Sequence, residues 1–247
     1  MSKSTSASLV TRPVVWVMGA SRGIGKEIAI QFSSMGYEVC VSSRSKKNLN
    51  YVVKEIKNLG GRASSFPCDV SEMKQILATA KQIEKRFFRI DILINNAGIT
   101  SFKNVEDESL EMIDDILDAN LEGPIVCIKA ALKGMIKRKQ GCIINILSTV
   151  AVKTFKGSAA YTAAKEGLFG FAKVLREEVR KYNIKVINIL PGATETVMWH
   201  PKLREKYGYR MMKPRDVAEA VLSAYRMPDT VVAEDIVLRP VLGDLDA

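Results

Sequence analysis

Val14-Val15-Trp16-Val17-Met18 runs without interruption into Gly19-Ala20-Ser21-Arg22-Gly23-Ile24-Gly25, and a helical pattern follows. The first five residues are all apolar. That is the mark of a strand covered on both faces, since a half-exposed strand would alternate. The glycines after it permit positive φ and let a ligand approach the backbone closely. The head of the next helix presents free N–H groups, which suit a pyrophosphate. A glycine cluster alone would be compatible with a bare tight turn. Its position between a first strand and a first helix is the context that phosphate binding needs. The spacing is GxxxGxG, not the GxGxxG of the longer dinucleotide-binding enzymes.

Beyond this stretch the same alternation continues. Strand-like runs are Val14–Met18, Tyr37–Ser42, Arg62–Pro67, Asp91–Asn95, Cys142–Leu147, Lys185–Leu190 and Asp235–Leu238. Helical segments lie near Ile24–Met35, Lys46–Leu59, Glu72–Phe88, Leu110–Lys137, Ser158–Tyr182 and Pro214–Tyr225. Strand and helix in turn specify a doubly wound α/β fold, a mostly parallel sheet of about seven strands with helices on both faces. The chain has 247 residues, which suits one such domain over residues 13–247. Residues 1–12 read as a disordered tail. Residues 193–212 fit no periodic element and are expected to form a substrate lid, as a mobile loop or short helix.

Composition narrows the function classes. Apolar residues make up 47% and charged residues 26%, a globular balance. No apolar run reaches the ~18 residues of a membrane span, so no membrane partner is expected. Cys40, Cys68, Cys127 and Cys142 form no CxxC pair and read as reduced, buried thiols of a cytoplasmic protein. His200 is the single histidine, so neither a structural metal site nor a Ser-His-Asp centre is expected. The net charge of +10 is spread along the chain, with no basic helix to engage nucleic acid.

The second strand ends at Ser42-Ser43-Arg44. A carboxylate here would hold both ribose hydroxyls of NAD. Ser43 and Arg44 stand there instead, with Arg22 inside the glycine turn. Guanidinium forks hold a 2′-phosphate that a carboxylate would repel, so the expected cofactor is NADP(H).

Tyr161-Thr162-Ala163-Ala164-Lys165 lies in a helical segment, and its spacing of four puts Tyr161 and Lys165 on one face. Ser148 ends the preceding strand. A free phenol has a pKa near 10 and needs help to exchange protons at neutral pH. An ammonium at ~4 Å, with an effective dielectric of ~20, supplies up to about 4 kcal/mol, roughly three pKa units. The expectation is therefore that Lys165 depresses the Tyr161 phenol.

At this point the chain resembles the short-chain dehydrogenase/reductase family in its single-domain, Rossmann-type branch, from about Pro13 to Leu238. Gly19, Gly23 and Gly25 match the family's glycine turn, with Ser21, Arg22 and Ile24 between them. Asp69-Val70 matches the adenine contact, and Asn95-Asn96-Ala97-Gly98 the NNAG signature. Asn120, Ser148, Tyr161 and Lys165 match the catalytic tetrad. Pro191-Gly192 with Thr194 and Thr196 matches the segment that closes over the cofactor. The resemblance implies that Tyr161 is the general acid in reduction and that Ser148 polarises the carbonyl. It implies that Lys165 binds the nicotinamide ribose and that Asn120 holds a water in the proton relay. Asn120 precedes Gly123-Pro124, and a proline inside a helix frees a carbonyl and kinks the axis. Met18 stands where the family usually has Thr, so the turn must be held in another way.

The substrate is the least legible part. Val150, Val152, Phe155, Met198 and Trp199 are candidates for an apolar pocket wall. The nearest resemblance is to reductases of 3-oxoacyl thioesters, including acyl-carrier-protein reductases, and to small carbonyl reductases. Lys129, Lys133, Lys137, Arg138, Arg176 and Arg180 are candidates to dock an acidic carrier protein. Ala233-Glu234-Asp235 departs from the Gly-rich ending of the fatty-acid reductases and weakens that match. Ile113, Ile116, Leu117, Leu168, Phe169 and Phe171 give two helices more than one apolar face, so a homodimer or homotetramer is expected. The alternative function is an NADPH sensor without turnover, which has no need of an intact Ser148, Tyr161 and Lys165.

Overall fold

Val14–Met18 forms β1 and is buried along its whole length. It pairs in parallel with β2 (Glu38–Ser42) on one side and β4 (Ile92–Asn95) on the other. With β3 (Arg62–Ser65), β5 (Gly141–Ile146), β6 (Ile184–Pro191) and β7 (Asp235–Leu238) it makes a seven-stranded sheet, all parallel, in the order β3-β2-β1-β4-β5-β6-β7. Strand order reverses between β1 and β4. In an open α/β sheet that reversal leaves a crevice at the carboxyl ends of the strands. This computed structural model describes residues 12–245, so the tail expected at 1–12 lies, apart from Arg12, outside the described residues.

The helices are α1 (Gly23–Ser34), α2 (Lys46–Asn58), α3 (Met73–Phe87), α4 (Leu110–Leu117), α5 (Gly123–Arg138), α6 (Ala159–Val179), α7 (Pro201–Tyr207) and α8 (Pro214–Tyr225). Alternation along β1 divides the interior in two. Val15 and Val17 face a core shared with Ile28 and Phe32 of α1 and Val217 and Val221 of α8. Val14, Trp16 and Met18 face the other core, with Ile76 and Ile83 of α3 and Ile128 and Met135 of α5. Each large side chain removed from water contributes about 1.5–3 kcal/mol, so β1, which leads into the site, is firmly held.

Two expected elements differ. The helix expected over Leu110–Lys137 is divided by a π-turn at Asp118–Glu122. Pro124 has no N–H to continue the α-helical pattern, and the Gly123 N–H reaches back five residues to the Asp118 carbonyl. The segment 193–212 contains α7 and a short 3-10 turn at Gly208–Arg210, and its two ends are held together by a bridge between Thr194 and Met212.

A polar ladder crosses the carboxyl half of the sheet. Asn95, Asn145, Asn188 and Asp235 are register partners on β4, β5, β6 and β7. Asn95 Nδ2 donates to Asn145 Oδ1 at 2.9 Å, Asn145 Nδ2 to Asn188 Oδ1 at 3.0 Å, and Asn188 Nδ2 to Asp235 Oδ1 at 2.8 Å. Arg176 of α6 ends the row, donating to the same Asp235 oxygen at 2.8 Å. Arg176 is 4% exposed and also pairs with Glu234. It is therefore a structural cation and not part of a docking face. Arg180 is likewise taken up by Glu177 and Glu234. Lys129, Lys133 and Lys137 remain exposed on α5.

Candidate active site

The crevice carries a cleft of about 1080 Å³. At one end is the glycine turn. Gly19 has φ +85°, and a Cβ there would sit 2.5 Å from the Ala97 nitrogen, so no other residue fits. Gly25 does not line the cleft. A Cβ on it would lie 2.4 Å from the Gly19 carbonyl oxygen, so its role is close packing of α1 against the turn. The hydrogen bonds that Thr would give in place of Met18 come from elsewhere. Ser42 O accepts from Gly19 N at 2.8 Å and Ala20 N at 3.1 Å, and Asn96 Nδ2 donates to Gly19 O at 2.9 Å. Asn96 is a residue whose role sequence reasoning passed over, although it stands inside the NNAG run.

Ser21, Arg22, Gly23, Ile24, Ser43 and Arg44 all line this end. Arg22 and Arg44 are exposed, and no carboxylate pairs with either among the described residues. The Ser43 hydroxyl is buried and has no hydrogen-bond partner among the described residues. Asp69 and Val70 line the adjacent wall, as do Ala97 and Gly98. Pro191, Gly192, Thr194 and Thr196 form the opposite lip, and the Thr196 methyl lies 3.3 Å from the Cβ position of Gly23. Asn95 does not line the cleft. It sits behind it as the first rung of the ladder, 3% exposed.

Ser148, Tyr161 and Lys165 meet in the middle of the cleft. Ser148 follows β5, and its Oγ accepts from Val150 N at 3.3 Å, which starts a short 3-10 turn. Tyr161 and Lys165 come from successive turns of α6 and are 8% and 3% exposed. Burial pushes the Tyr161 phenol up to about 12, against a hydrogen bond from Ser148 that lowers it. Burial also brings Lys165 down to about 8. The expected depression of the phenol by Lys165 is corrected here. Lys165 Nζ lies 5.6 Å from the ring centroid and donates at 3.0 Å to the Ile146 carbonyl, and the lowering influence on the phenol comes from Ser148.

Asn120 lies behind the cleft in the π-turn, fully buried. Its Nδ2 donates to Ile99 O at 2.8 Å and Ile116 O at 2.9 Å, while its Oδ1 accepts nothing from the described residues. That oxygen is 2.4 Å, and Lys165 Nζ 3.8 Å, from the point a Cβ on Gly98 would occupy. The absence of that Cβ is what lets the amide and the ammonium approach the same place.

Beyond Tyr161 the cleft wall mixes apolar side chains with polar ones such as Lys103, Asn104 and Lys156. Val150, Phe155, Met198 and Trp199 line it as expected, whereas Val152 points to solvent at 53% exposed. Phe102 and Leu245 also line it, and local sequence carries no signal for either. Phe102 stacks on Trp199 with ring centroids 5.5 Å apart and planes at 19°.

A phosphate-accepting turn that opens onto a buried phenol and ammonium is the working end of a dinucleotide-dependent oxidoreductase. The chain belongs to the short chain dehydrogenase family, whose sequence profile matches residues 13–207. It is 31% identical to sepiapterin reductase from Chlorobaculum tepidum, over 94% of this chain and 98% of that protein. It is 38% identical to carbonyl reductase family member 4 from Xenopus laevis, over 86% of this chain and 90% of that one. Among solved structures, a single-substitution variant of actinorhodin polyketide ketoreductase with NADPH superimposes with a TM-score of 0.87 at 30% identity, covering 95% of this chain and 98% of that one.

Proposed function

We propose that this protein is an NADPH-dependent carbonyl reductase that acts on a ketone carried beside a flat or apolar group. The observation that carries the reading is one cleft holding both unpaired arginines at its phosphate end and Ser148, Tyr161 and Lys165 together at its centre. The lone Ser43 hydroxyl and the close approach at Gly19 fit a phosphorylated dinucleotide. Arg22, Arg44 and Ser43 would hold the 2′-phosphate. Asp69 and Val70 would contact the adenine, and Ala97, Gly98 and Lys165 the riboses, with Asn95 supporting them from behind. Pro191, Gly192, Thr194 and Thr196 would close over the nicotinamide side, and the segment 193–212 would serve as the lid. NADPH supplies the hydride when bound.

The chain's own part is proton work. Ser148 Oγ donates to the substrate oxygen and orients it against Tyr161. Tyr161 Oη gives its proton to that oxygen as negative charge grows there, and the carbonyl becomes an alcohol. Burial holds the phenol above its ordinary range, and the hydrogen bond with Ser148 works the other way, toward the range in which a general acid parts with its proton. The free Oδ1 of Asn120 would hold the water through which Tyr161 regains its proton.

Substrate class follows from the far wall. The Phe102–Trp199 pair offers ring faces, which suit a flat ketone, and the sepiapterin reductase relative supports that choice. A 3-oxoacyl thioester is the competing substrate, supported by the ketoreductase neighbour. NADPH oxidation over ring-bearing ketones, diketones and 3-oxoacyl thioesters separates them. Turnover confined to the thioesters would overturn the flat-ketone reading, and no turnover at all would overturn the reductase.

A further inference from the structure

After β7 the chain doubles back onto the cleft. Leu238 O accepts from Gly192 N at 2.7 Å, and Pro240 packs on Gly192. A turn follows, closed by Gly243 N donating to Pro240 O at 2.9 Å, with Gly243 at φ +79°. Glycine takes that conformation without steric cost. Asp244 and Leu245 then enter the cleft wall.

Asp244 is held from three sides. Its carboxylate accepts from Lys153 Nζ at 2.6 Å and from Arg239 Nε at 3.2 Å. Its backbone carbonyl accepts from Arg210 Nη2 at 3.1 Å, and the same nitrogen donates to Leu242 O at 3.3 Å. Lys153 lies in the loop between Ser148 and Tyr161, and Arg210 in the 3-10 turn after α7. One residue thus ties this segment to both walls of the substrate end. Burial works against the Asp244 charge, and the donors from Arg239 and Lys153 outweigh it, so the carboxyl stays below the usual aspartate range. Leu245 is 8% exposed and belongs to neither sheet core. What it faces is the pocket.

We propose that Leu245, positioned by Asp244, sets the size limit of the substrate pocket. This rests on the carbonyl-reductase reading of the same cleft. An apolar wall discriminates by volume only when it resists retreat, and the three-sided hold on Asp244 supplies that resistance. A misfit of one methylene in such a pocket is worth about 10- to 200-fold.

The test uses ketones of increasing bulk, read by binding and by turnover. The chain has two tryptophans; Trp16 is fully buried and Trp199 lines the cleft, so quenching by a ketone reports cleft binding. Leu245→Ala is expected to tighten binding of the bulkier ketones and raise their kcat/KM by about 10-fold. Leu245→Phe should do the reverse, with NADPH affinity unchanged in both. Asp244→Ala should relax the size order as Leu245→Ala does, raising KM for the preferred ketone while kcat holds, and Asp244→Glu should restore it. An identical size order in the wild type and both Leu245 variants overturns the proposal, as does the failure of every ketone to quench Trp199. If the order shifts in binding while no ketone oxidises NADPH, the wall stands and the reductase reading fails. If ketones are reduced with an unshifted order, the reductase stands and the wall fails.

Discussion

The Lys165 ammonium sits over the face of the Tyr161 ring, 5.6 Å from its centre, and gives its hydrogen bond to Ile146. It is buried with no carboxylate paired to it among the described residues, and burial brings it down to about 8 from the ordinary 10.5. Between those values the unfolded chain holds more protons than the folded one, so this group's contribution to stability rises with pH. Lys165→Met removes the contribution. Its stability relative to wild type is expected to be highest at pH 7 and to decline by about 3 kcal/mol as pH approaches 10.5. Urea unfolding at several pH values measures it, and a difference independent of pH would contradict the burial of a charge here.

The unpaired Arg22 and Arg44 predict discrimination between cofactors. Replacing both with Ala should lower kcat/KM for NADPH by about 10- to 100-fold and leave that for NADH nearly unchanged. Each charge-assisted contact is worth about 1.5–3 kcal/mol, reduced by screening at an exposed rim. Equal wild-type efficiency with both cofactors would refute the assignment.

Tyr161→Phe keeps the ring and removes the proton. Turnover should fall by about 10²–10⁴ with NADPH affinity little changed, because the phenol acts on charge that develops only in the transition state. Ser148→Ala should lose less. Near-normal kcat in Tyr161→Phe would move the proton donor to another group.

Gly98 is a test of the Asn120 geometry. A methyl there would press on Asn120 Oδ1 at 2.4 Å, and the buried amide has little room to move because Ile99 and Ile116 hold it. Gly98→Ala is expected to lower kcat at least 10-fold and to reduce Tm by several degrees, as overpacking costs of about 1–3 kcal/mol imply. Unchanged kinetics and melting would mean that the approach of Asn120 and Lys165 has no bearing on the reaction.

Ile113, Leu117, Phe169 and Phe171 are half-buried on α4 and α6, and Leu110 and Val174 are exposed at 76% and 61%. A second copy covering these helices is expected, giving a dimer or tetramer by sedimentation at micromolar concentration. A monomer there would set aside the oligomer.

Much of this arrangement is legible in the chain because short-range patterns carry it. The apolar run Val14–Met18 and the glycines after it specify strand, turn and helix by rules that act over a few residues. Tyr161 and Lys165 fall on one face of α6 by helical spacing alone. What sequence withheld depends on contacts between distant segments. The split at Asp118–Glu122 coincides with Pro124, which lacks an N–H, and with an Asn120 amide bound to the carbonyls of Ile99 and Ile116, the first of them outside the helix. α7 buries none of its residues fully, so it leaves no periodic trace. Phe102 meets Trp199, and Leu245 meets the cleft, across loops that no local pattern relates. The aim of the Lys165 ammonium depends on which carbonyl lies nearest, and spacing along a helix does not say.

The row of Asn95, Asn145, Asn188 and Asp235 has a bearing on assembly. Side chains alternate along a strand, so a slip of one place would turn a rung to the opposite face. It would strand its amide and those of its neighbours in the interior, at about 1–3 kcal/mol for each group left unpaired. Greasy strands such as Ile143-Ile144 and Val186-Ile187 carry little information about register, since one aliphatic side chain replaces another with small loss. The polar row supplies that information. It works as a checksum on the register of the last four strands, complete only with β7 in place, and it sets at one height the strand ends that bear Asn95 and lead to Ser148.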